Sequence, residues 1–384
     1  MSFVKTGAFR GLSSSSDDIK IDSSGNVAIV NGNIVNKNLI INGGMNVWQR
    51  STSQASISST STDGYVTADR WETYNNSLGT WTQSQSTDVP SGQGFVKSLK
   101  MDCTTADASP SAGDQVVIEQ KVEGQNLQYL NFGNSSAKSL TLSFWVKSNK
   151  TGTYCASLFN NDQSKWFSKQ YTISSADTWE KKTLTYAGDT SNAFNNDNGT
   201  SLRCRFWLGA GSTYTSGTIT STWTTESGNE GSLASGQVNL ADSTSNEWYV
   251  TGVQLEAGQV ASDFEFLPTD VNLRRCMRYY QEPNKGYRMD NYVANCYNTS
   301  SAYGQTTLSV PMRTQPSVTW NVVGTGDIQG FAGNSQKTLS SIGTSQLSPY
   351  AVSYNVVGTF TTGQAIHFNN YDTTNPFVKI SAEL

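Results

Sequence analysis

Residues 139–148 read SLTLSFWVKS. Leu140, Leu142, Phe144 and Val146 take every second position, with Thr141, Ser143, Trp145 and Lys147 between them. Successive side chains of a strand point to opposite faces, so this alternation spells a strand with one apolar and one polar face. Residues 202–209, LRCRFWLG, repeat it: Leu202, Cys204, Phe206 and Leu208 share a face, and Arg203, Arg205 and Trp207 take the other. The same period runs through IKID, NVAIV, FVKSLKM, QVVIEQKVEG, KKTLTYAG and EWYVTGVQLEAG, separated by Gly, Asn, Asp and Ser. Short strands at these intervals, joined by polar loops, predict an all-β chain whose main body is a large antiparallel β-sandwich.

Composition points the same way. A chain of 384 residues suggests two or three domains and can bury real cores without staples. Only 15% of residues are charged, while 10 Trp, 17 Tyr and 15 Phe supply ample packing groups. A net charge of −4 removes any general attraction to nucleic acid or anionic membranes. No stretch approaches the roughly 20 apolar residues that span a bilayer, so membrane insertion is not expected. The opening MSFVKTGAFRGLSSSSDD lacks the apolar region of a secretory signal, and export by that route is not expected either. The five cysteines (Cys103, Cys155, Cys204, Cys276 and Cys296) are odd in number and never at C-x-x-C spacing. A zinc or redox site is therefore not expected, and apolar neighbours such as TYCASLF predict buried free thiols.

Four segments follow. Residues 1–37 hold very short strands and too few apolar groups for a core, which predicts an N-terminal attachment and oligomerisation arm, threefold, that orders only by packing against copies of itself or a partner. Within it, Asn31-Gly32-Asn33 reads as a tight hairpin turn. Residues 38–268 form the sandwich. In residues 269–283, a connector helix, Leu273, Cys276, Met277 and Tyr280 recur at helical spacing, with Thr269 or Asp270 as cap. Residues 284–384 restart the strand pattern in YVANCY, TTLSVPM, SVTWNVV, YAVSYNVVG, AIHFNN and FVKISAEL, predicting a smaller C-terminal β-sandwich that serves as a tip or interaction domain.

Chemistry is harder to find. In NLIINGGMNVWQR (38–50) glycines follow an apolar run, as in a phosphate loop, but no helix pattern follows and that reading fails. Asn42-Gly43-Gly44 is instead expected to supply positive φ where a strand turns. The single histidine, His367, faces opposite to Ile366 and Phe368 and reads as a surface or edge-strand residue, with no nucleophile elbow to serve. A glycosidase needs two carboxylates. Glu119, Glu123, Glu180, Glu226, Glu230, Glu247, Glu256, Asp263 and Glu265 are scattered with no pair standing out, so no catalytic residue is assigned. NNDNGT (195–200) and YVTADRW (65–71) are oxygen-rich without EF-hand spacing; they read as polar turns, leaving room for a structural calcium ion and no other cofactor.

The two Phe-Trp pairs are the informative feature. Trp145 and Trp207, with Lys147, Arg203 and Arg205 beside them, suit a glycan: a pyranose face stacks on indole while side-chain donors bond its hydroxyls. Aromatic and Arg side chains are equally enriched at interfaces, so cover by the arm, a long loop or a neighbouring subunit stays open. Trp48, Trp71, Trp81, Trp166, Trp179, Trp223 and Trp248 are expected in core or loop packing.

NLIINGGMNVWQR, YVTADRW, LTLSFWVKS and VTGVQLEAGQVASDFEFLPTDVNLRRCMRYYQE together resemble the central region of tail-fibre and related adhesion proteins of tailed bacteriophages. The first part is also similar to the start of family 4 and 9 carbohydrate-binding modules, which are jelly-roll sandwiches, and this resemblance implies that the large antiparallel β-sandwich is jelly-roll-like. The resemblance covers residues 38–283, and VPMRTQPSVTW (310–320) is similar to the C-terminal domain of the same proteins. It implies a non-enzymatic virion protein, commonly a homotrimer, assembled in the host cytoplasm and exposed on the particle surface. Its N-terminal arm would meet other virion proteins, and its sandwich would bind a host cell-surface polysaccharide during adsorption. A purely architectural head-decoration or baseplate protein, and a polysaccharide depolymerase, are the alternatives.

Overall fold

Most of the alternating segments become paired strands. The computed structural model describes residues 8–9, 19–21, 27–29, 37–59, 63–283, 292–320, 328–332, 335–337, 339–370 and 378–384. Three short strands, β1 (Ala8–Phe9), β2 (Ile19–Ile21) and β3 (Val27–Ile29), make a small antiparallel sheet. The hairpin expected at Asn31–Asn33 lies outside the described residues.

The central region runs through β4 (Ser53–Ile57), β5 (Glu72–Asn76), β6 (Thr80–Ser86), β7 (Ser98–Thr105), β8 (Gln115–Glu123) and β9 (Leu140–Ser148). It continues with β10 (Gly152–Asn160), β11 (Lys165–Ile173), β12 (Glu180–Tyr186), β13 (Thr200–Ala210), a one-turn helix α1 (Ser212–Thr215), β14 (Thr224–Thr225) and β15 (Glu247–Ala257). These strands build two six-stranded antiparallel sheets, ordered β14-β11-β10-β13-β8-β5 and β12-β9-β15-β7-β6-β4. The inward faces are those the alternation marks. Leu140, Leu142, Phe144 and Val146 of β9 and Leu202, Cys204 and Phe206 of β13 are all fully buried in one core. Phe144 and Phe206 meet across it edge to face, with ring centroids 4.9 Å apart, a geometry that adds about 0.5–1.5 kcal/mol to area burial.

Residues 38–44 are not a strand, contrary to the expectation for this apolar run. They cross the core as irregular chain whose polar groups are met by side chains: Gln120 accepts from Ile41 N at 2.7 Å and donates to Ile41 O at 2.8 Å. Positive φ falls on Asn42 (59°) and Met45 (54°) rather than on the glycines. Gly43 serves close approach instead, since a Cβ there would lie 2.0 Å from the Val253 carbonyl oxygen. The Asn42 side chain donates to Val47 O (2.9 Å) and Asp69 O (3.1 Å) and accepts from Asn46 N and Val47 N, which closes the turn.

The connector helix α2 spans Thr269–Met277, three residues shorter than its periodicity allows. Pro268 is its cap, neither Thr269 nor Asp270, and the Pro268 carbonyl accepts from Asn272 N at 3.0 Å. Tyr280, the last helical-phase residue, lies in the two-residue strand β16 (Tyr280–Gln281), paired with Ser381; a backbone partner in the sheet wins over a further helical turn.

The remaining chain forms β17 (Tyr292–Cys296), β18 (Ser301–Thr307), β19 (Ser317–Trp320), β20 (Ile328–Ala332), β21 (Ser335–Lys337), β22 (Leu339–Leu347), β23 (Ala351–Gly358), β24 (Ala365–Asn370) and β25 (Val378–Ser381). A seven-stranded sheet, β21-β20-β24-β17-β18-β23-β22, is joined by a three-stranded one, β16-β25-β19. TTLSVPM departs from its expected strand beyond Thr307. His367 is not at an edge: β24 lies between β20 and β17, and the imidazole stacks on Phe331 with centroids 5.5 Å apart.

The most distinctive motif residues converge on one buried junction. Arg70, fully buried, pairs with Glu383 and lies 3.6 Å over the Tyr279 ring; Arg50 lies 3.6 Å over Tyr280 and meets Glu383 at 2.7 Å. Asp69 accepts from Gln49 N at 2.9 Å. NGGMNVWQR, ADRW and CMRYYQ thus fasten the sandwich, the connector and the final residues together, a structural role for what first looked like a ligand loop.

Candidate functional site

The two tryptophans singled out by alternation part company. Trp207 is fully buried on the outer face of β13, beneath residues 211–238, which fold back over that sheet. Its Nε1 donates to Ser157 Oγ at 2.9 Å, and its ring packs 5.4 Å from Tyr214 beside Trp166, Leu233 and Ala234. No face of this indole is open to a sugar; the long-loop cover left open by the sequence is what occurs. The neighbouring guanidiniums are committed as well. Arg205 holds Glu119 at 2.7 Å, and Arg203 donates to Asn161 Oδ1 at 2.6 Å. Burial alone would raise the Glu119 pKa, but Arg205, Arg203 and Lys121 outweigh it and keep the carboxyl below its usual range. Its cross-strand neighbour Glu72 is raised by burial, and Lys121 bonds it at 2.6 Å. A cation therefore bridges the nearest approach to a carboxylate pair on this face.

Trp145 sits on the other sheet, and its surroundings differ. On the outer face of β9 it is half-buried and lines a cleft of about 320 Å³. Phe95, Phe264 and Phe266 form one wall, with centroids 4.9–5.1 Å apart, and Phe266 is 53% exposed. Gln93, Lys181 and Asp263, with the buried Ser143, supply the polar side chains of the lining. Lys181 stands directly across from Trp145 in the β12–β9 register and, among the described residues, has no ion pair.

The depression has a local cause. β15 slips register against β9 between Thr251 and Gln254, and Gly252 adopts φ 62° in that bulge. A Cβ at Gly252 would come within 2.5 Å of the Phe95 ring, so the bulged glycine lets that ring lie against the sheet.

Lys147, one pair of positions along β9, is not available to a ligand. It is buried, ion-paired with Asp88 and set 4.3 Å over the Tyr249 ring. Trp179 Nε1 donates to the other Asp88 oxygen at 2.8 Å. Burial would raise the Asp88 pKa, but the hydrogen bonds from Lys147 and Trp179 prevail and hold it low.

Of the five residues proposed from sequence, then, one lines the cleft. Phe95, Phe264, Phe266, Lys181 and Gln93 were missed; the alternation of Phe264-Glu265-Phe266 was the one legible hint. In the oxygen-rich segments, Asp197 Oδ1 accepts from Gly199 N at 2.8 Å and Asp69 Oδ1 accepts from Gln49 N at 2.9 Å. Among the described residues no three acidic, Cys or His side chains gather as a metal cluster. All five cysteines are buried and free, as expected from their apolar settings.

No protein-family model matches the chain, and no curated protein matches it. Among solved structures it is similar to the enzymatically active domain of tailspike protein 4 from bacteriophage CBA120, at 15% identity and a TM-score of 0.30 over 58% of this chain. The chain spans 21% of that tailspike's length. A family 4 carbohydrate-binding module shares 12% identity at a TM-score of 0.27, over 56% of this chain and 97% of that one. The N-terminal cellulose-binding domain of Cellulomonas fimi beta-1,4-glucanase C shares 11% identity at 0.27, over 50% and 90%. Scores this low carry no argument about fold or function, which rest on the chain's own residues.

Proposed function

We propose that this chain is a non-catalytic subunit of a tailed-bacteriophage appendage whose sandwich binds a host surface glycan in the Trp145 cleft. The observation that carries the binding site is the half-buried indole of Trp145 lining a cleft with a phenylalanine wall and polar side chains. A pyranose presents an apolar face to such an aromatic floor, while Ser143, Gln93, Lys181 and Asp263 are the kinds of groups that bond its hydroxyls. Asp263 is the one carboxylate lining this cleft, whereas glycosidic hydrolysis calls on two.

The phage assignment, the trimer and the attachment role of residues 1–37 rest on the sequence resemblance and on the small apolar content of that segment. A shallow site of this kind binds weakly, and several copies on one particle raise avidity by about 10²–10⁴ without any new contact. The test is adsorption of particles carrying Trp145→Ala. Loss of adsorption with intact assembly supports recognition; normal adsorption refutes it.

The architectural reading has one observation in its favour. Tyr297 and Tyr350 are 73% and 67% exposed in the C-terminal region, a display of aromatics that suits subunit packing. Failure of Tyr297→Ser or Tyr350→Ser chains to assemble, with normal glycan binding by the isolated chain, would favour it.

A further inference from the structure

A larger cleft, of about 510 Å³, opens between α2 and β8, away from Trp145. Leu39, Ile41, Val122 and the ring of Tyr129 make an apolar wall; Gln125 and Asn126 present carboxamides at its edge. Lys121, Arg275 and Arg278 bring three positive charges to the same space. Two of them are answered. Lys121 bonds Glu72 at 2.6 Å, and Arg278 grips Glu123 with two hydrogen bonds of 2.8 Å each.

Arg275 is not answered in this way. Among the described residues no carboxylate lies within ion-pair distance of it, and its Nη2 donates to the Asn38 carbonyl at 3.2 Å. Burial pulls its pKa below the usual arginine value, and Glu265 opposes that through space without forming a bond. A guanidinium so placed lacks the bidentate carboxylate partner its fork geometry favours, and such charge-assisted bonds are about twice as strong as neutral ones. The volume lies in the range of a small-ligand pocket.

We propose that this cleft is a second binding site, for a carboxylate-bearing sugar. The carboxylate would dock on the Arg275 guanidinium, and the pyranose ring would lie against Tyr129 and the apolar wall. The site is independent of the Trp145 cleft and would stand or fall without it.

The test is calorimetric titration of the full chain with D-glucuronate, D-glucose and inorganic phosphate. Glucuronate should bind more tightly than either other probe. Arg275→Gln should weaken it by about tenfold or more. Val271→Trp, at a helix position 36% exposed on the cleft lining, should block it without touching any charge. No glucuronate binding, binding retained in both cleft variants, or phosphate binding as tightly as glucuronate would each overturn the assignment.

Discussion

Asp69→Asn offers the sharpest energetic test of the buried junction. Asp69 has a side chain 1% exposed, hydrogen-bonded by Gln49 and 3.7 Å from Arg50. Burial raises its pKa from 3.8 to about 6, even though Arg50 and the Gln49 hydrogen bonds pull the other way. The folded state thus binds this proton more tightly than the unfolded chain does. The favourable contribution is complete below 3.8, declines as pH rises towards about 6, and is gone above that. At 1.36 kcal/mol per pH unit, the ionised carboxylate costs up to about 3 kcal/mol at neutral pH. Asparagine keeps the shape and cannot ionise. Urea unfolding of the full chain, followed by tryptophan fluorescence, should show Asp69→Asn equal to the parent near about pH 4 and more stable by up to about 3 kcal/mol near about pH 7.5. A variant less stable than the parent at neutral pH, or one with the parent's pH slope, would refute the reasoning.

Other perturbations follow from the same packing. Gly43→Ala should cost about 1–3 kcal/mol or more, measured by thermal unfolding, because its Cβ would meet the Val253 carbonyl at 2.0 Å. Arg70→Ala should cost about 3–5 kcal/mol in urea, since it removes a fully buried partner of Glu383 and leaves a carboxylate with Arg50 alone. Trp207→Ala should cost about 3–5 kcal/mol and expose residues 211–238 to limited proteolysis, with glycan affinity unchanged in the chain that remains folded.

The inward faces of β9 and β13 were legible because alternation is a property of a few adjacent residues. What covers the outward face is not. Trp145 and Trp207 have the same local pattern, yet Tyr214 and Leu233 close over one and Phe264 and Phe266 flank the other. Phe264 and Phe266 lie more than a hundred residues beyond Trp145, and although Tyr214 follows Trp207 closely, residues 211–238 are Ser-, Thr- and Gly-rich with little periodicity to announce a lid. The Phe95 wall depends on a bulge at Gly252, which reads in sequence as one more strand residue. The end of α2 was misread for a related reason: Tyr280 keeps helical phase, and the competing partner, Ser381, is about a hundred residues away. The NGGMNVWQR turn carried a strong signal of constraint. Its meaning, a junction of Arg50, Arg70 and Glu383, appears once the distant residues are brought together.

The most direct measurement is of the tryptophan indole N–H resonances of the full chain during titration with oligosaccharides from the host envelope. The Trp145 resonance should shift progressively with saturation while the buried Trp207 resonance stays fixed. A shift at Trp207 with Trp145 unmoved, or no indole shift despite measurable binding, would contradict a glycan site at the Trp145 cleft.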